Sequence, residues 1–163
     1  MKMSLITIVL SMIMFFGSTA QNTLGEIPNF ILFNPDNTVF TNRNLAADRA
    51  SLFVFFDVTC DHCQHAVSIL STRSKECEKL DIYLISLDNI ASVNDFINKY
   101  GKDLVNRKNV IVLQDLMNQF IKNFKPNKYP SVYLYSPEKK LILHDEEDLD
   151  LEKLFTIISA SKK

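Results

Sequence analysis

Apolar residues recur along this chain in two rhythms, short continuous runs and stripes spaced three or four apart, and the two alternate. Phe30-Ile31-Leu32-Phe33 reads as a short strand, Asn34-Pro35-Asp36-Asn37 as a turn, and Val39-Phe40 as its hairpin partner. A short helical connector is predicted over 42–48. Ser51-Leu52-Phe53-Val54-Phe55-Phe56 is an apolar run of strand length, suited to a central strand buried on both faces. From 61 to about 79 the rhythm becomes helical, with Cys63, Val67, Leu70 and Cys77 near multiples of 3.6.

The alternation then continues. A strand is predicted over 82–87, and a helix marked by Val93, Phe96, Ile97 and Tyr100 ends at Gly101. A third buried strand falls at 110–113 and a short helix at 116–124. Strands at 132–135 and 141–143 flank the turn Ser136-Pro137-Glu138-Lys139. A final helix is predicted with Asp148 as its cap and Leu151, Leu154, Phe155 and Ile158 facing inward. The order β-α-β-α-β-α-β-β-α, after a small N-terminal β element, predicts an α/β fold. Its central sheet is mixed, parallel in the middle and antiparallel at the closing hairpin, with helices on its faces.

Composition adds bounds. At 163 residues the chain is of one-domain size, and 47% hydrophobic with 23% charged residues describes an ordinary globular domain. A net charge of -1 gives no basic excess to neutralise phosphates, which argues against nucleic acid as a partner. The N-terminus stands apart. Lys2 precedes an uncharged, largely apolar stretch over 5–16, and Gly17-Ser18-Thr19-Ala20 offers small residues for cleavage. Residues 1–20 therefore read as a secretory signal cleaved after Ala20, leaving a domain over 21–163. A dozen apolar residues is short for a span of about 20, so a membrane tether follows only if the segment stays uncleaved.

The candidate chemistry lies in Cys60-Asp61-His62-Cys63, directly between the central strand and the first helix. At a helix N-terminus, unpaired N–H groups and the macrodipole favour a thiolate over a thiol. Cys60 is thus the predicted exposed nucleophile, and Cys63, one turn in and on the apolar face, the shielded resolving thiol. Asp61 and His62 tune the pair in opposite directions: a protonated His62 favours the Cys60 thiolate and the Asp61 carboxylate disfavours it. His65 faces solvent in this reading. A zinc site would need a second ligand pair, and none stands at suitable spacing, so no metal is assigned. Cys77, 14 residues past Cys63 on one continuous helix, would lie ~21 Å away, too far for a disulfide, and reads as a buried thiol.

These residues resemble the thioredoxin superfamily, and within it the exported TlpA/ResA-like thiol-disulfide oxidoreductases. Phe53-Val54-Phe55-Phe56 leads into the CxxC, Lys128-Tyr129-Pro130-Ser131-Val132 looks like the family's cis-proline segment entering a strand, and Ser136-Pro137-Glu138-Lys139-Lys140 resembles its hairpin turn. The N-terminal β element and an inserted strand-helix unit are similar to the TlpA branch. The resemblance implies a cis Tyr129–Pro130 bond beside Cys60 and a substrate-docking loop of Thr59, Tyr129 and Pro130. It also implies protein thiols and disulfides as partners with an upstream electron donor, and no cofactor beyond a redox-active Cys60–Cys63 disulfide. The chain departs from the pattern in three places. Thr59 stands where the family usually has Trp, Gln64-His65-Ala66 lacks an acid, and no acid interrupts Phe53 to Phe56, which leaves the proton acceptor of Cys63 unassigned, with Asp57 the nearest candidate.

Reductase action is the leading reading. An oxidase or isomerase is the nearest alternative, and a thioredoxin-fold copper chaperone using Cys60, Cys63 and His144 is another. Peroxide reduction is weaker, since no proline precedes Cys60 in Asp57-Val58-Thr59.

Overall fold

The computed structural model describes residues 25–160. The signal read over 1–20 lies outside the described residues. The elements are β1 (Ile31–Phe33), β2 (Val39–Thr41), β3 (Ala50–Phe55), α1 (Asp61–Thr72), β4 (Leu80–Ser86), α2 (Ile90–Tyr100), β5 (Val110–Gln114), α3 (Gln119–Phe124), β6 (Ser131–Tyr135), β7 (Leu141–Glu146) and α4 (Leu151–Ala160). They form one seven-stranded sheet in the order β2-β1-β5-β4-β3-β6-β7. Strands β3, β4 and β5 run parallel, while β6 is antiparallel to β3 and to β7. The hairpin of β1 and β2 closes the other edge, joined antiparallel to β5.

Side chains alternate across each strand, so β3 supplies two cores. Leu52, Val54 and Phe56 pack with Cys63, Val67 and Leu70 of α1, with α2, and with Leu151, Leu154, Phe155 and Ile158 of α4. Phe53 and Phe55 face the opposite layer, an aromatic cluster with Phe30, Tyr83, Phe120, Phe124, Tyr133 and Tyr135. Phe53 is fully buried, with ring centroids at 4.9 Å from Tyr83 and 5.5 Å from Phe124. Every predicted strand and helix of the regular alternation is present.

Three local expectations are corrected. The helix carrying the CxxC stops at Thr72, and Ser74–Cys77 form a 3-10 turn. Arg73 ends it: its guanidinium sits 3.6 Å from the Phe155 ring centroid and pairs with Glu76 and Glu152. Cys77 is accordingly off the α1 face, and the distance drawn from a continuous helix does not apply; it is a fully buried thiol. The connector over 42–48 holds only a 3-10 turn at Asn42–Asn44, capped by Thr41. The cap of α4 is Asp150, not Asp148. Asp150 Oδ1 accepts the Lys153 N–H at 2.9 Å. Loss of this bond in Asp150→Ala is expected to cost about 1 kcal/mol, measured by urea unfolding, with Asp148→Ala nearly neutral.

Candidate functional site

Sheet register brings two distant segments to one place. β3 pairs with β6 so that Phe55 stands opposite Ser131. The chain leaving β3 toward Cys60 therefore meets the chain entering β6 from Tyr129 and Pro130. The Tyr129–Pro130 peptide bond is cis, and the Tyr129 carbonyl oxygen lies 3.7 Å from the Cys60 sulfur. The site is thus assembled by sheet pairing, across 69 residues of sequence.

Cys60 is the N-cap of α1, with extended dihedrals, and its sulfur accepts the Cys63 N–H at 3.4 Å. This is a capping role in which sulfur takes the place of the usual side-chain oxygen. Cys60 is half-buried, whereas Cys63 is fully buried against Leu52, Val54 and Phe56. Burial pushes the Cys63 thiol far above the usual thiol range. A hydrogen bond from the Asp57 backbone opposes that rise, and the Cys60 sulfur and the Asp57 carboxylate reinforce it.

Two consequences follow for the reduced protein. Iodoacetamide at pH 8 is expected to label Cys60 and to leave Cys63 and Cys77 unmodified until unfolding, read by peptide mass spectrometry. Stability should also fall as pH rises. Below about 8.5 the folded and unfolded chains both hold the Cys63 proton; above it only the folded chain does. Each further pH unit removes about 1.4 kcal/mol up to the folded-state value. Urea midpoints at pH 7.5 and pH 9.5, compared with those of Cys63→Ala, measure this slope.

The residues between the cysteines are exposed. His62 Nδ1 pairs with Asp148 Oδ1 at 3.0 Å, so the residue expected to cap α4 instead meets the CxxC helix. Both partners are largely in water, where such a pair adds little stability. Asp61 occupies the first turn of α1, and His65 is exposed as predicted. Thr59 is exposed, and its N–H and hydroxyl both donate to Asp57 Oδ1, at 2.7 and 2.6 Å. Tyr129 packs its ring 5.0 Å from Phe55, and burial together with the charges of Asp57 and Asp88 pushes its phenol upward. His144 lies within β7 rather than at a strand end, stacked 4.2 Å from the Tyr133 ring and 3.2 Å from Glu146. Among the described residues, no three or more His, Cys, Asp or Glu side chains form a group that could hold a metal ion.

Two carboxylates at the site escaped the sequence reading. Asp88, just past β4, accepts the Val58 N–H at 3.1 Å and the Ser86 hydroxyl at 2.8 Å. It thereby braces the loop that presents Cys60. Glu146, at the end of β7, does the same for the segment around Pro130. For Asp88 a local signal existed in Ser86-Leu87-Asp88 at the exit of a buried strand, where side chains cluster beside the next loop. For Glu146 there was none, because its partners come from across the sheet.

Residues 24–144 match one family model. The chain belongs to the AhpC/TSA family. Similar solved structures place this AhpC/TSA chain in the thioredoxin fold. A thiol-disulfide oxidoreductase from Bacteroides fragilis is 24% identical with a TM-score of 0.62, covering 81% of this chain and 98% of its own. A secreted Mycobacterium tuberculosis disulfide oxidoreductase homologous to Escherichia coli DsbE is 15% identical with a TM-score of 0.65, covering 80% and 95%. ScoI from Arabidopsis thaliana, with copper bound, is 16% identical with a TM-score of 0.61, covering 84% and 98%. No curated protein matches in sequence. Among the described residues, no helix of this AhpC/TSA domain is long and apolar enough to cross a membrane.

Proposed function

We propose that this chain is an exported thiol-disulfide oxidoreductase that reduces disulfides of other proteins through Cys60 and Cys63. One observation carries the reading: a half-exposed sulfur at a helix N-terminus accepts the N–H of a fully buried partner cysteine, beside the Tyr129 carbonyl. The Cys60 thiolate attacks one sulfur of a client disulfide. A mixed disulfide forms and the other client sulfur leaves as a thiolate. Cys63 then gives up its proton and attacks the Cys60 sulfur, which releases the second client thiol and leaves a Cys60–Cys63 disulfide. An upstream dithiol returns the two electrons, so no other cofactor is needed.

In this reading Asp57, whose negative charge raises the Cys63 thiol, is the acceptor of the proton that Cys63 gives up. Thr59, Tyr129 and Pro130 form the docking loop, and Asp61 and His62 adjust the potential. Export rests on the signal pattern over 1–20, and the secreted M. tuberculosis neighbour agrees with it.

Insulin reduction tests the activity. Catalytic amounts of the protein should speed precipitation of the insulin B chain by dithiothreitol; a rate equal to that of dithiothreitol alone would reject the reading. Copper handling, raised by the ScoI likeness, predicts stoichiometric copper retained after dialysis. The peroxide reading predicts hydrogen peroxide consumption coupled to dithiol oxidation.

A further inference from the structure

Glu146 closes β7 directly opposite Ser131, the residue after Pro130. Its carboxylate is only 17% exposed and is engaged on both oxygens. Oε1 accepts the Asn127 N–H at 2.9 Å and the Ser131 hydroxyl at 2.6 Å, with His144 Nε2 at 3.2 Å; Oε2 accepts from Asn127 Nδ2 at 3.2 Å. Burial works against its charge, but the hydrogen bonds from Ser131, Asn127 and His144 prevail and hold the carboxyl below the usual range. One ionised group therefore grips the loop before Tyr129 and the strand after Pro130.

The next residue completes the grip from the backbone. The Glu147 N–H donates to the Pro130 carbonyl at 2.8 Å, and its carboxylate pairs with Lys128. Glu146 and Glu147 make no hydrogen bond to either cysteine of the pair; the segment they hold meets the pair through the Tyr129 carbonyl, 3.7 Å from the Cys60 sulfur. The nucleophile loop has its own brace in Asp88, so the two halves of the site are held by separate carboxylates.

We propose that Glu146 is a positioning residue for client docking: it fixes residues 127–131 in the shape that receives the client chain, without acting on the thiols. The proposal rests on the docking role assigned to Tyr129 and Pro130 above. A loop held in its bound form costs less to order when a partner arrives, so releasing it lowers the rate with protein disulfides. Cys60 itself stays at the N-terminus of α1, so its labelling by a small reagent changes far less than the rate with protein disulfides.

Glu146→Ala and Glu146→Gln separate the possibilities, because Gln retains an acceptor oxygen for Ser131 and the Asn127 N–H. In Glu146→Ala, hydrogen exchange of the peptide spanning 125–131 is expected to quicken about ten-fold while that of α1 stays unchanged. Insulin kcat/KM should fall about ten-fold, with iodoacetamide labelling of Cys60 within about two-fold of wild type and substantial rescue by Gln. Unchanged exchange over 125–131 in the Ala variant would overturn the proposal. So would faster exchange there with unchanged insulin kcat/KM, or an equal rise in exchange throughout α1. A wild type that reduces no insulin would defeat the oxidoreductase reading instead, and the exchange data would still decide whether Glu146 holds the loop.

Discussion

Cys63→Ser is expected to trap the protein as a mixed disulfide with its client, and Cys60→Ser is expected to trap nothing. The asymmetry follows from geometry. Cys60 is reachable at the N-terminus of α1, whereas Cys63 has no exposed surface and its thiol is held protonated by burial. Without Cys63 the first attack proceeds and resolution fails. Without Cys60 no sulfur is within reach of the client, because Cys77 is also fully buried. Both variants should lose insulin reduction by at least about 100-fold, since a two-thiol exchange cannot turn over on one thiol. Non-reducing electrophoresis with denatured reduced-carboxymethylated and disulfide-bearing clients distinguishes the two. Trapping by Cys60→Ser would reverse the assignment of roles.

The largest stability effect is expected from Phe53→Ala, at about 3–5 kcal/mol. Phe53 lies on the central strand with no exposed surface. Its ring is edge-on to Tyr135 at 5.8 Å and to Phe30 at 5.9 Å, besides its contacts with Tyr83 and Phe124. Truncation removes apolar burial, opens a cavity in an interlocked ring cluster and loses these ring pairs. A domain of ordinary stability, about 5–15 kcal/mol, would be left marginal. Urea denaturation measures the loss, with Ile142→Ala on exposed β7 surface as the control, expected within about 0.5 kcal/mol. A shift no larger than the control's would mean that this aromatic layer is not the core it forms here.

Much of the fold was legible because the strongest signals were local. The run Ser51 to Phe56 had no polar break except at its start, and it became the central strand with neighbours on both sides. The stripe of Cys63, Val67 and Leu70 named the buried face of α1. The end of that helix was not legible. Thr72-Arg73-Ser74-Lys75 contains no glycine or proline, and the stop is made by Arg73 reaching Phe155 and Glu152 on α4. The same limit applied at the site. The cysteine pair announces itself by spacing, whereas Asp88 and Glu146 act on Val58, Asn127 and Ser131 through strand pairing. Asp148 and Asp150 show the difference at close range. Both could cap α4 by composition, and only the path of the chain after β7 turns Asp148 toward His62 and leaves Asp150 at the helix start.

Asp61 stands in the first turn of α1, beside Cys60, and Asp148 places a second carboxylate 3.0 Å from His62. The direction of exchange through Cys60 and Cys63 is set by the reduction potential of the pair. Equilibration of the purified protein in glutathione buffers of graded ratio, followed by mass analysis of the cysteine peptides, measures this directly. The expected result is one reversible disulfide joining Cys60 to Cys63, with Cys77 still a thiol and a potential near the thioredoxin value of about −270 mV. A potential near −120 mV would contradict the reductase assignment, and the absence of any reversible Cys60–Cys63 disulfide would contradict the oxidoreductase itself.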